Sequence, residues 1–344
     1  MSGNLVWLRR PMLFGAVAFW ASLVSLGALA QAQPLVPATT TNTAAVAVTG
    51  AVAATHYRTV QIDGISVFYR EAGPADAPVV LLLHGFPASS FMYRDLITKL
   101  GDRYHVIAPD YPGFGYSAAL STTEFRYTFD ALADMVAKFT DRLGLVRYAI
   151  YMQDFGGPVG FRLASRRPER LSALIVQNAN AYEEGLPESF WTPARALWKD
   201  PTPENFARIR EATISDAALE WNYTHGVKNL ERINPDSWVL QRSLVNSPGN
   251  KDILLALLYD YRTNLGQYTT WHDYFRKHQP PTLIVWGEHD VIFTAVGARA
   301  YLRDLPKAEL HLLDTGHFAL EDKGAEIAQL MRSFLDRNLR AASR

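Results

Sequence analysis

The chain has 344 residues and 38.5 kDa, balances 34 Lys+Arg against 34 Asp+Glu, is 48% hydrophobic and contains no cysteine. At roughly 100–200 residues per domain, that length allows one large domain or two ordinary ones with ample core, so a disordered or collagenous chain is excluded. Charge balance offers no basic face for nucleic acid, and without Cys there is no disulfide, thiolate metal site, iron–sulfur cluster or thiol nucleophile.

The first 54 residues stand apart: they hold Arg9 and Arg10 and no acid, while residues 55–344 carry 34 acids against 32 bases. Arg9-Arg10 precedes an apolar run from Met12 to Leu29, and Ala28-Leu29-Ala30 supplies small residues for a signal peptidase. Residues 1–30 are therefore expected to be a signal peptide, cut after Ala30 or Ala32, that sends the protein to the periplasm or outside the cell. The alternative is a retained membrane anchor over residues 11–30, since about 20 apolar residues span a bilayer. Residues 31–54, uncharged and rich in Ala, Val, Thr and Pro, read as a low-complexity linker.

Beyond it, strand-like and helix-like stretches alternate. His56–Ile62 and Ile65–Glu71 flank Asp63-Gly64, a hairpin signal. Val79–Leu83 is a continuous apolar run, as in a parallel strand buried on both faces. A helix over 89–100, a strand over 104–108, a Pro/Gly loop, a helix over 127–143, a strand over 148–152, a helix over 158–167 and a strand over 171–177 follow. Residues 182–279 then break the rhythm: rich in Trp and Tyr, with helical periodicity and no clear strand. A strand over 282–286, a helix over 295–305, a strand over 309–313 and a last helix over 324–339 resume it. Repeated strand–helix units imply a mostly parallel central sheet flanked by helices. The expected organisation is a core over 55–181 and 280–344 interrupted by a helical cap over 182–279.

In such sheets ligands gather at the carboxyl ends of the strands. The residues there are His84-Gly85-Phe86-Pro87, Gln153-Asp154-Phe155-Gly156-Gly157, Gly287-Glu288-His289-Asp290 and Asp314-Thr315-Gly316-His317-Phe318. A side chain between a strand and a helix, followed closely by two glycines, suits a sharp turn that presents it above the sheet. Here that side chain is Asp154, and a carboxylate can displace a leaving group from saturated carbon as an enzyme ester that water then cleaves.

Together with the loop Asp110-Tyr111-Pro112-Gly113-Phe114-Gly115-Tyr116-Ser117, these segments resemble the α/β-hydrolase fold over residues 56–339, in the chain order nucleophile, acid, histidine. The Asp at the turn resembles the epoxide hydrolase and haloalkane dehalogenase branch. The resemblance implies Asp154 as nucleophile, His317 as general base toward water, Asp290 as the residue orienting His317, and the backbone N–H groups of Phe86 and Phe155 as oxyanion hole. His84 is expected to be structural.

The two branches differ at the leaving group. Tyr259-Asp260-Tyr261-Arg262-Thr263-Asn264, with Trp271 beyond, resembles the epoxide hydrolase cap segment whose Tyr before Arg donates to the epoxide, which makes Tyr261 the candidate acid. A second cap tyrosine has no clear match; Tyr223 and Tyr182 are weak candidates. For a halide, Phe155 has no donor where familiar dehalogenases place Trp, although Trp191 and Trp198 carry indole N–H groups. The expected activity is an epoxide hydrolase acting on a small apolar substrate, with a haloalkane dehalogenase second and an exported binding protein without turnover third. No metal or organic cofactor is implied, since the His residues lack ligand spacing and no Gly-rich phosphate loop follows a strand.

Overall fold

A computed structural model describes residues 53–339. The expected signal peptide and all but the end of the expected linker lie outside them. Among the described residues, no helix is long and apolar enough to cross a membrane.

Eight strands form one sheet: β1 (His56–Ile62), β2 (Ile65–Ala72), β3 (Val79–Leu83), β4 (His105–Pro109), β5 (Tyr148–Gln153), β6 (Leu171–Gln177), β7 (Thr282–Gly287) and β8 (Glu309–Leu313). Their spatial order is β1-β2-β4-β3-β5-β6-β7-β8. β2 runs antiparallel to β1 and β4, and every pair from β4 to β8 is parallel. The central strands are apolar at successive positions because each face of the sheet meets helices. Leu81, Leu83, Ile150, Met152, Leu174, Val176, Ile284 and Trp286 enter one core. Val80, Leu82, Ala149, Tyr151, Ala173, Ile175, Leu283 and Val285 enter the other. Full burial of each large aliphatic contributes roughly 1.5–3 kcal/mol, so the register is firmly set.

α1 (Arg94–Leu100), α2 (Phe129–Arg142) and α3 (Gly156–Arg166) belong to the first part of the core. Between β6 and β7 come α4 (Glu188–Lys199), α5 (Pro203–Ile214), α6 (Asp216–Thr224), α7 (Asp236–Val245), α8 (Asn250–Asp260), α9 (Arg262–Leu265) and α10 (Tyr268–His278), called the cap below. Their boundaries follow local chemistry: Thr202 accepts a hydrogen bond from the Asn205 N–H with Pro203 in the first turn of α5, and Ser215 caps α6 through the Ala218 N–H. α11 (Ala295–Ala300) and α12 (Ala319–Leu339) complete the chain.

Three helix limits differ from the expectation. The stretch 89–100 opens as a 3-10 turn over Ser90–Tyr93, because Asp110 takes the Ser90 N–H and the Tyr93 hydroxyl donates to the Leu83 carbonyl. The helix expected to reach 305 is α-helical only to Ala300 and tightens to a 3-10 turn over Tyr301–Arg303. The last helix starts at Ala319 instead of Gly324, with a break in helical geometry at Lys323. Its added turn is held by Glu321, which pairs with Arg94 at 2.7 Å.

Candidate active site

Asp154 follows β5 with φ at +49°, a left-handed conformation that a non-glycine residue adopts only where its surroundings enforce it. Here its N–H donates to the Asn178 carbonyl at 3.2 Å, and its own carbonyl accepts from the Gly157 N–H at 2.9 Å. A Cβ on Gly156 would stand 2.2 Å from the Leu83 carbonyl oxygen, so the helix can start this close to β3 only with glycine there. Met152, larger than usual before such a turn, packs against Gly160 of α3, where a Cβ would stand 3.0 Å from its Cε.

The turn presents a buried carboxylate to two backbone donors. Asp154 Oδ1 accepts the Phe86 N–H at 2.6 Å, and the Phe155 N–H also donates to the carboxylate. Phe86 sits on the loop after β3, next to a cis bond to Pro87. Gly85 lets that loop approach, since a Cβ there would meet Gln153 Oε1 at 2.2 Å and Asp154 Cβ at 2.4 Å. Burial raises the Asp154 pKa to about 6, against the opposing pull of His317 and the two N–H groups.

His317 arrives on the loop after β8. Its Nδ1–H donates to Asp290 Oδ2 at 2.7 Å, and its Nε2 lies 3.7 Å from Asp154 Oδ2. Burial depresses the imidazole, but the charge and hydrogen bond of Asp290, with Asp154 behind, outweigh it and hold its pKa above the usual value. Asp290, on the loop after β7, is saturated: Oδ1 accepts from the Ile292 and Phe293 N–H groups, and Oδ2 also accepts from Asn178 Nδ2 at 2.7 Å. The structure thus brings Asp154, His317, Asp290, Phe86 and Phe155 to one place. His84 is elsewhere engaged: burial lowers its pKa to about 3, and its Nε2 accepts the Tyr111 N–H at 3.3 Å.

Sequence reasoning missed Asn178, which ties the Asp154 turn to Asp290 from the end of β6. Its side chain bridges Asp290 and the Gly287 N–H while its carbonyl holds Asp154. It gave no role to Gln153, whose Nε2 is 2.9 Å from His317 Nε2, nor to Gln177, which donates to the His317 carbonyl. The signal was available, because all three lie at the carboxyl ends of β5 and β6.

A cavity of about 510 Å³ opens above Asp154 and His317, walled by Phe86, Phe155, Trp191, Trp221, Leu258 and Ile292 among others. Cap donors mostly face away from it. The Trp191 indole N–H donates to the Ile292 carbonyl at 2.8 Å and that of Trp198 to the Leu258 carbonyl at 3.0 Å, so the two indoles expected to serve a halide are engaged. Tyr261 is buried one ring behind the wall, 6.1 Å from Phe155 and 4.8 Å from Trp191 between ring centres. Its hydroxyl shares a hydrogen bond with Tyr268, and burial keeps it firmly protonated, with Tyr268 and then Asp154 adding to the effect. The Tyr182 hydroxyl donates to Asp304, and Tyr223 stacks on Phe318.

A family model described as the alpha/beta hydrolase fold matches residues 78–324. An uncharacterized hydrolase of Saccharomyces cerevisiae is 40% identical over 281 residues, 80% of this chain and 95% of that protein. Haloalkane dehalogenase 2 of Mycobacterium tuberculosis is 28% identical, over 73% of this chain and 85% of its own. Epoxide hydrolase 3 of Xenopus tropicalis is also 28% identical, over 79% and 75%. The solved structure of an epoxide hydrolase from Vigna radiata shares the fold, with a TM-score of 0.67 at 21% identity, over 82% of this chain and 98% of that one.

Proposed function

The chain belongs to the α/β-hydrolase fold family, and within it we propose an enzyme that opens epoxides through an ester on Asp154. The observation that carries the covalent reading is the unequal setting of the two carboxylate oxygens: Oδ1 sits under the Phe86 N–H, while Oδ2 faces His317. Oδ2 attacks the less hindered ring carbon, the carbon–oxygen bond of the epoxide breaks, and Oδ1 becomes the ester carbonyl already in its oxyanion hole. Water then adds to the ester carbon, giving its proton to His317 Nε2. The tetrahedral intermediate collapses, the bond from the ester carbon to the alkyl oxygen breaks, the diol leaves with the proton from His317, and the proton left on the Asp154 carboxyl returns to the acid that protonated the ring oxygen.

For the ring oxygen we assign Tyr261 as acid. A hydroxyl rotates freely, so Tyr268 can change from acceptor to donor and release the Tyr261 proton toward an epoxide that draws the phenol into the cavity. The engagement of Trp191 and Trp198 and the lack of a donor on Phe155 favour an epoxide over a halide. One observation supports the haloalkane reading: Trp221 lines the cavity, and its indole N–H has no partner among the described residues. The apolar wall suits a small aromatic or aliphatic substrate. We also propose export through residues 1–30, which the mass of the mature N-terminus in a native host would test.

Intact-mass analysis of His317→Ala with styrene oxide and with 1-bromohexane tests the chemistry. One equivalent of adduct, mapped to Asp154, is expected, and diol release by the wild-type enzyme should exceed halide release. A folded variant that gains no mass from either probe defeats the covalent reading and leaves the binding protein.

A further inference from the structure

The neutral imidazole of His317 has one N–H and one lone pair, and the N–H is directed at Asp290. The lone pair at Nε2 therefore faces Gln153, whose amide N–H is the donor across 2.9 Å. A lone pair that accepts from Gln153 cannot at that moment take a proton from water. At the other end of the same amide, Gln153 Oε1 is buried beside Gly85 with no hydrogen-bond partner, a costly arrangement for a carbonyl oxygen. Turning the terminal amide by 180° exchanges oxygen and nitrogen with almost no change of shape, so it needs no extra room. It would set the orphaned acceptor against Nε2, where only a protonated histidine can donate to it.

We propose that Gln153 is a positioning residue of the ester-hydrolysis step, its amide donating to neutral His317 and turning over to accept from the imidazolium. The proposal rests on the covalent reading above. While His317 is neutral the amide fixes the ring and its tautomer; when an ester forms and water enters, the amide gives up the lone pair. As the water proton arrives at Nε2 the imidazolium becomes a donor on both sides, to Asp290 and to Gln153 Oε1, until its proton passes to the departing alkyl oxygen. The titratable groups facing His317 are Asp154, Asp290 and, across a small cleft, His225. In the ester state Asp154 carries no charge, which leaves Gln153 the nearest adjustable partner of Nε2.

Single-turnover intact-mass kinetics with styrene oxide separate ester formation from ester decay. For Gln153→Met, with neither donor nor acceptor, formation should stay within about threefold of wild type while decay slows about tenfold. Hydrogen bonds to a charged group outweigh those to a neutral one, so the rising limb of the decay profile should also move to lower pH. Gln153→Glu keeps the length and offers an acceptor of opposite charge, so its limb should move to higher pH; this variant decides the matter if the Met variant does not fold. Unchanged decay, or formation and decay falling together with unmoved limbs, overturns the role of Gln153. If His317→Ala gives an adduct in the same assay the covalent reading stands regardless; if it gives none, both fall.

Discussion

The two halves of the site treat their polar groups in opposite ways. On the core side, acceptors and donors converge on Asp154 and His317: two N–H groups on Asp154, Asp290 and Gln153 on either side of the His317 ring, and three donors around Asp290 besides the histidine. On the cap side most donors turn inward, with Trp191 and Trp198 on backbone carbonyls, Asn222 Nδ2 on the Ala218 carbonyl and Tyr261 on Tyr268, and the Trp221 indole N–H is the exception. The core therefore holds charge in fixed places, and the cap supplies ring faces and volume. A fixed polar array stabilises developing charge without reorganisation, whereas an apolar wall selects by shape.

Substitutions that break this division should rank accordingly. His317→Ala should lower turnover about 10³-fold or more and leave the ester trapped, read by steady-state assay and intact mass. Tyr261→Phe is the exception on the cap side: it should lower kcat/KM for an epoxide about 10²-fold and leave any halide release within about threefold. Equal losses on both substrates would show that the cap acts through shape alone. With the Asp154 pKa at about 6, ester formation should fall tenfold per unit below that pH, as the nucleophile is protonated; a stopped-flow profile checks it. Asp154→Asn removes a buried charge. Since the folded-state pKa is raised, the wild type loses stability as pH rises from about 4 to 6, so the variant should be more stable by about 1–3 kcal/mol above pH 6. The gain should vanish below pH 4, as seen in denaturant titrations at both pH values. Smallest of all, Trp191→Phe loses one hydrogen bond, costing about 1 kcal/mol of stability, and should leave the ratio of diol to halide release unchanged.

The strands of the core and the loops that carry its candidate residues were legible because the chain announces where each strand ends. Strands end at Leu83, Gln153, Gly287 and Leu313, and the loops that follow carry Phe86, Asp154, Asp290 and His317. The partnerships of Asn178 and Gln153 were not, because they arise between strands: Gln153 lies opposite Gln177 in the β5–β6 register, and that places Asn178 between the Asp154 turn and Gly287. The start of the last helix escaped for a similar reason. Gly324 reads as a boundary, and the turn before it is fixed by Arg94, more than 200 residues away. In the cap, periodicity announces helices, but the direction of the Tyr261 hydroxyl depends on how the junction of α8 and α9 meets Tyr268 of α10, which periodicity does not encode.

The unequal grip on the two oxygens of Asp154 has an isotopic consequence under the proposed chemistry. In water enriched in oxygen-18, the first diol each enzyme releases carries the unlabelled Oδ2, and the heavy atom stays on the protein. Because Oδ1 is fastened to the Phe86 N–H at 2.6 Å, the newcomer occupies the place Oδ2 left, facing His317. Each enzyme's second diol should then carry one heavy oxygen, beside the unlabelled one from the epoxide ring. A carboxylate free to spin between turnovers would deliver only half, so the labelling of the second product measures how long the loop after β3 remembers which oxygen is which.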